Sequence, residues 1–339
     1  MTDLRSDTVT QPTEGMLKAM FEAASGDDVY QEDPSVNELQ EYTAQITGME
    51  ASLFMPSGCM ANLTALYILG RRGNEVICHP LSHIMQHELA SPAVIAGVLL
   101  TPVPGERGII TAEGIMPFIR RPDPLSSHTS LVSIENTANM AGGTCYDEPT
   151  LQELRKLTEQ EGIYLHMDGA RAFNAAEAAG LSVGQMAGYV DSLTLCLSKG
   201  LGAPAGSMLC GKKEFIKEAR RVRKLLGGGM RQAGYYAAAG LYALKHHTRR
   251  LAEDHLHARI IGEAVSQSSW GSLAAEPVET NIVIASVHRK STEAVLQALK
   301  HSGVLAGPAG RDAVRFVTHL GLDRGMIDQA SEIIKTLNI

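Results

Sequence analysis

Short apolar runs alternate with stretches of helical period along most of this chain. The runs ASLFM (51–55), EVICH (75–79), AVIAGVLLT (93–101), SLVSIE (130–135), IYLHM (163–167), DSLTLCLS (191–198) and AGSMLCG (205–211) predict strands. Between most of them lie amphipathic segments such as EPTLQELRKLTEQEG, which predict helices. Asp33 followed by Pro34 sets an N-cap and first helical position, with Val36, Leu39, Tyr42 and Ile46 on one face. Strands that are apolar along their whole length, separated by helices, predict a mostly parallel sheet covered on both faces. A long helical pattern runs from about Gln232 to His257. After it, NIVIAS, STEAVLQALKHSG, AVRFVTH and DRGMIDQASEIIKTL read as β, α, β, α. The expected organisation is a large domain over 1–245, including the N-terminal arm, and a smaller α/β domain over 246–339.

Composition narrows the partners. At 339 residues the chain can bury a substantial core in two unequal domains, and its net charge of −7 gives no general attraction to nucleic acid or anionic lipid. Small-molecule partners are expected. The basic segment KEARRVRKLLGGGMRQ has helical spacing within an acidic chain, which favours a solvated or interface helix over a nucleic-acid surface. Five widely spaced cysteines without a C-x-x-C pair suggest neither a disulfide framework nor a structural zinc site. The charged N-terminus MTDLRSDTVT has no apolar signal core, and the longest apolar stretch, near 92–100, is too short for a bilayer span. A cytoplasmic location is expected.

In open parallel sheets ligands sit beyond the carboxyl ends of the strands. Four polar clusters fall there: Ser57-Gly58, Glu135-Asn136-Thr137, Asp168-Gly169-Ala170-Arg171 and Ser198-Lys199-Gly200. Each alone reads as a cap or loop, since Ser, Asn and Asp favour such positions for local reasons. Together they supply three functions. Ser57-Gly58 before a helix offers N–H groups to a phosphate, Asp168 offers a carboxylate to a cationic ring nitrogen, and Lys199 offers an amine to a carbonyl. Those are the requirements of pyridoxal 5'-phosphate. Gly200, Gly202 and Gly206 also permit a dinucleotide reading, which Pro204 and the strand that follows disfavour. His83 and His87, at helical i, i+4 spacing, permit a metal site with His79 or Glu88. Lacking an HExxH pattern, they read better as cofactor contacts, and no metal is expected. Three glycines in LGGGMRQ present Arg231 either as part of a flexible turn or to a phosphate.

The motifs LRSDTVTQPT, GDDVYQEDPSVNEL, PSG-x-MAN, IENT, LHMDGARAFNA, CLSKGLGAPAGS, RKLLGGGMRQAG and RFVTHL occur in this order along the chain, which thereby resembles the threonine aldolases. That resemblance implies the aspartate aminotransferase-like fold type I, with a seven-stranded sheet. It implies that Lys199 anchors the cofactor covalently, Asp168 pairs with the ring nitrogen and His83 stacks on the ring. Arg171 would contact the phenolic oxygen. Ser57, Gly58 and Cys59 would hold phosphate with Arg231 of a neighbouring subunit. Ser6, Lys224 and Arg315 would hold the substrate carboxylate, and a homotetramer, at least a dimer with shared sites, is implied. Two positions depart from the family pattern: Cys59 stands where threonine is usual, and Ala138 where histidine is usual. His83 is the leading base and His128 a second candidate. The implied reaction is retro-aldol cleavage of L-threonine or L-allo-threonine to glycine and an aldehyde. A β-eliminating lyase, a racemase and a noncatalytic pyridoxal-binding protein are the rival readings.

Overall fold

A computed structural model describes residues 1–338. The N-terminal segment opens with β1 (Thr2–Asp3) and leads through the helix Glu14–Phe21 to the helix Pro34–Thr47. Asp33 caps the latter as its spacing predicts, accepting from Val36 N–H at 3.0 Å; the same carboxylate also takes the N–H groups of Gly26 and Gly234.

The central sheet contains β2 (Ala51–Met55), β3 (Glu75–Cys78), β4 (Leu99–Pro102), β5 (Thr129–Glu135), β6 (Tyr164–Gly169), β7 (Ser192–Cys196) and β8 (Ser207–Gly211). Their spatial order is β2-β8-β7-β6-β5-β3-β4. Every pairing is parallel except those of β8, which runs antiparallel to both neighbours. The seven residues of β5 are all buried, as expected of a strand with helices on both faces. Because β2, β3, β5, β6 and β7 run the same way, their carboxyl ends open on one edge of the sheet.

The second domain has its own sheet of β9 (Gly271–Leu273), β10 (Ile282–Val287), β12 (Gly307–Pro308) and β13 (Ala313–Val317), in the antiparallel order β12-β13-β10-β9. Helices Leu251–Ser266, Thr292–His301 and Arg324–Thr336 bury Ile261, Leu299 and Ile334 with Val283 and Phe316 of the strands in a separate core. β1 pairs in parallel with β11 (Val304–Leu305) of this domain, and Leu4 is buried in the small core. The start of the N-terminal arm therefore packs with the small domain, not with the large one.

Two elements differ from the periodicity. Residues 93–101 do not form one strand, because a helical turn over Pro92–Ala96 ends at Gly97 in the left-handed region (φ 69°), and β4 begins only at Leu99. The stretch from Gln232 to His257 divides into helices Gly234–His246 and Leu251–Ser266, separated by the turn Thr248–Arg250.

Candidate active site

A cleft of about 210 Å³ lies where the strands end, bounded by Ser6, His83, Asp168, Arg171, Lys199 and Arg315 with Thr8, His87, Glu135, Asn139 and Ala170. Lys199 follows β7 by three residues, and its carbonyl accepts from Gly202 N–H at 2.8 Å and Thr10 Oγ1 at 3.1 Å. These bonds fix the backbone carrying the amine. Asp168, the last residue but one of β6, lines the cleft, accepting from Asn62 Nδ2 at 2.7 Å and Ala170 N–H at 3.0 Å. A carboxylate has about four acceptor positions, so a further donor can still be received.

His83 begins a one-turn helix after β3. Its backbone N–H donates to Glu135 Oε2 at 2.6 Å, and its Nδ1 to Glu88 Oε1 at 2.8 Å. Burial lowers the affinity of this imidazole for a proton, but the Glu88 hydrogen bond and the Asp168 charge outweigh it and raise the pKa. Glu135 shows the opposite face of the same electrostatics: burial first, then the Asp168 charge, push its carboxyl up to about 7.

Arg171 is buried and held by both oxygens of Asp7, Nε to Oδ2 at 2.7 Å and Nη2 to Oδ1 at 2.8 Å. The guanidinium in turn keeps Asp7, itself under a burial penalty, down at about 2. Arg315 projects from β13 and donates Nη1 to Asn139 Oδ1 at 2.9 Å, while its Nε is buried without a partner. A guanidinium that lines a cleft and gives only one of its five N–H donors to a neighbour suits a carboxylate.

At another strand end, Ser57 caps the helix Gly58–Leu69 by accepting from Met60 N–H at 3.2 Å, which leaves the first-turn N–H groups of Gly58 and Cys59 without helical partners. A Cβ on Gly58 would stand 2.7 Å from Cys196 Sγ, so glycine is what lets this turn sit against β7. Cys59 is exposed as a residue, but its thiol turns inward. Burial, then Glu88 and Asp168, push that thiol up to about 11. The amine, the carboxylate and the helix terminus fit the carbonyl, ring nitrogen and phosphate of pyridoxal 5'-phosphate in chemical type.

Two expected residues, His128 and Lys224, lie outside this cleft, and Arg231, expected from a neighbouring subunit, is outside it too. His128 precedes β5 and bonds Asn74 Nδ2 through Nε2 at 3.1 Å, so the whole strand, about 20 Å at ~3.3 Å per residue, separates it from Glu135. His128 is thus no base in this chain's cleft. Lys224 is exposed in a different depression, with Val29 and Arg220. Arg231 is exposed and paired with Asp27 at 2.7 Å. Ala138 is buried and points toward Gly108. His79 is engaged by Leu81 N–H and the Gly105 carbonyl, which removes it from any site with His83. Sequence reasoning assigned no role to Asn62, Thr8, Asn139 or Asp7; Asp7 and Thr8 were visible only inside the motif LRSDTVTQPT and Asn62 only inside PSG-x-MAN.

The family profile of the beta-eliminating lyases matches residues 3–290. A low specificity L-threonine aldolase of Escherichia coli (strain K12) is 40% identical over 339 aligned residues, covering 98% of this chain and 97% of that protein. Low-specificity L-threonine aldolase 1 of Arabidopsis thaliana is 38% identical over 324 residues, covering 94% and 90%. Among solved structures, the threonine aldolase of Leishmania major superposes with a TM-score of 0.86 at 19% identity over 99% of both chains. The serine palmitoyltransferase of Sphingomonas wittichii does so at 0.79 and 17% identity, over 99% of this chain and 86% of that one. At such identities the likeness is one of fold, and it is the fold type I arrangement that the strand pattern and motifs predict. The chain belongs to the beta-eliminating lyase family, and within it to the low-specificity L-threonine aldolases.

Proposed function

We propose that this chain cleaves L-threonine, L-allo-threonine and related β-hydroxy-α-amino acids to glycine and an aldehyde, with pyridoxal 5'-phosphate held at Lys199. The observation that carries this reading is the convergence of Lys199, Asp168, His83 and Arg315 on one cleft. When bound, the cofactor supplies an electron-withdrawing ring that accepts the electron pair left at Cα. Lys199 would anchor it, Asp168 would pair with its ring nitrogen, Arg171 with its phenolic oxygen, and Ser57, Gly58 and Cys59 would hold its phosphate.

Arg315 and Ser6 grip the substrate carboxylate, Arg315 through guanidinium donors beyond the one given to Asn139. Fixing the carboxylate restricts how the bonds at Cα can be oriented within the cleft. With Nδ1 donating to Glu88, the neutral imidazole of His83 leaves Nε2 as its free acceptor. That nitrogen takes the β-hydroxyl proton as the Cα–Cβ bond breaks, the aldehyde departs, and Cα regains a proton to give glycine. The raised proton affinity of His83 favours this transfer.

Arg231 supports a shared site. It is exposed and does not line its own cleft, so it is assigned to the phosphate of a neighbouring subunit in a homotetramer. Five free cysteines fit a reducing, cytoplasmic setting. No helix is long and apolar enough to cross a membrane among the described residues.

The test is to incubate the cofactor-loaded protein with all four threonine stereoisomers and phenylserine and to identify the products. Glycine with acetaldehyde or benzaldehyde is expected. Pyruvate and ammonia from serine would instead establish β-elimination, the reaction named by the family. Lys199→Ala is expected to lose both the visible cofactor absorbance and turnover. His83→Asn is expected to keep the absorbance and lose ~10²- to 10⁴-fold in kcat; undiminished turnover would remove His83 as the base.

A further inference from the structure

Beside the amine and the Asp168 carboxylate, the cleft wall carries a second donor set. Cys59 Sγ, a ring nitrogen of His83 and a carboxylate oxygen of Glu88 all lie within 4.8 Å of one another. Glu88 is 5% exposed, and its two oxygens are unequally served: Oε1 accepts from Asn62 at 3.0 Å and His83 at 2.8 Å, whereas Oε2 has no partner. A buried acceptor left unmade is costly, and this one belongs to the carboxylate that stands beside a thiol and an imidazole. The loop that carries Glu88 continues through Leu89 and Ala90, both in the left-handed region at φ 52° and 58°.

We propose that Cys59, His83 and Glu88 form a binding site for one Zn²⁺ or similarly thiophilic divalent ion, and that this ion and the cofactor phosphate exclude one another. Zinc accepts thiolate, imidazole and carboxylate at ~2.0–2.3 Å, and three protein donors with an open fourth position are a common arrangement. Donors at those bond lengths stand roughly 3.3–3.8 Å apart in a tetrahedron. Side-chain rotation at exposed Cys59 and part-exposed His83 supplies the adjustment needed from 4.8 Å. Thiolate and carboxylate balance the charge of the ion, and Asp168 adds negative potential nearby. Binding expels the thiol proton of Cys59, so affinity rises with pH. The exclusion rests on the assignment of Ser57, Gly58 and Cys59 to phosphate; metal binding itself does not.

The experiment is equilibrium dialysis of the cofactor-free full-length chain against Zn²⁺, with Co²⁺ as a second probe whose thiolate charge-transfer absorbance reports sulfur ligation. One equivalent per chain and a charge-transfer band are expected. In Cys59→Thr the band is expected to vanish, and in both Cys59→Thr and Glu88→Gln the affinity to fall at least ~10-fold, the lower end of what outer partners of a metal alone cost. Thermal unfolding of each variant checks that it is folded. Affinity unchanged in Cys59→Thr, or no stoichiometric binding by the parent chain, overturns the site. Pyridoxal 5'-phosphate is expected to weaken Zn²⁺ binding. Stoichiometric binding through Cys59 that the cofactor leaves untouched would overturn the exclusion, and with it the phosphate assignment, while threonine cleavage would stand or fall on the product test alone.

Discussion

His166 lies two residues before Asp168 on β6 and is fully buried, with Nδ1 at 2.8 Å from Ser192 Oγ and Nε2 at 3.4 Å from Asn62 Oδ1. Through Asn62 it braces the Asp168 carboxylate. Burial holds its pKa down from 6.5 to about 4. In the window between those values the unfolded chain binds a proton that the folded chain refuses, so this residue's contribution to stability is complete above 6.5 and is lost as pH falls toward 4. Glu135, raised to about 7, works in the opposite sense over much of the same window. The informative quantity is therefore the difference between parent and His166→Gln. The variant is expected to lose up to ~1.4 kcal/mol per pH unit of acid-side slope in unfolding free energy. Urea unfolding at pH 4.5, 5.5 and 6.5 measures it, and parallel curves would refute the account. At this scale the sequence is legible where a residue sits at a strand end, as Lys199, Asp168 and Arg171 do. It is opaque where a residue's role arrives by tertiary contact: Asn62 shows only as the end of the PSG-x-MAN motif and Glu88 only as a possible metal ligand, and nothing in the sequence pairs the one with Asp168 or the other with His83.

The N-terminal segment, though it has little regular structure, is tied to the site by charge. Asp7 forms a buried, two-point pair with Arg171, which immediately precedes the helix Ala172–Ala179, and Asn281 Nδ2 reaches the same carboxylate at 3.4 Å. Asp7→Asn leaves a buried guanidinium without its counter-charge, a change that costs about 3–5 kcal/mol in comparable pairs. The expected result is a lowered urea midpoint together with weaker cofactor retention. A stability loss under 1 kcal/mol would show that the pair is not what seats the segment. Periodicity located this sheet well, because fully buried strands bounded by Gly, Pro and caps leave a sharp signature. It failed at 93–101, where an apolar run is shared between a helical turn and a strand and only Gly97 marks the change. It also joined two helices into one between Gln232 and His257, since the turn Thr248–Arg250 contains neither Gly nor Pro to announce it.

For the whole molecule, the expectation that the partner's Arg231 completes each site has a direct test. Arg231→Ala and Lys199→Ala chains are each expected to be nearly inactive. Mixed and reassembled, they should regain roughly a quarter of parental turnover by random pairing, because an Arg231→Ala chain keeps its own Lys199 and borrows the missing arginine. No recovery, with mixed assemblies verified by mass, would mean that each chain builds its site alone. The separate strands and helices after the long helical stretch were legible because their pattern restarts there, β9, β10 and β13 sharing a sheet of their own. The destination of Thr2–Leu4 was not, since a two-residue strand has no periodicity and its partner lies about 300 residues away. That distance matters during synthesis. At ~5–20 residues per second, Thr2 waits some 15–60 s for Val304 to be made. Until then Asp7 can already pair with Arg171, but Thr2 and Asp3 have no strand to join and Arg315 of the cleft has not been made. The cleft is therefore finished only as the ribosome completes its work, and a chain stalled before residue 304 should carry a folded sheet that retains its cofactor poorly.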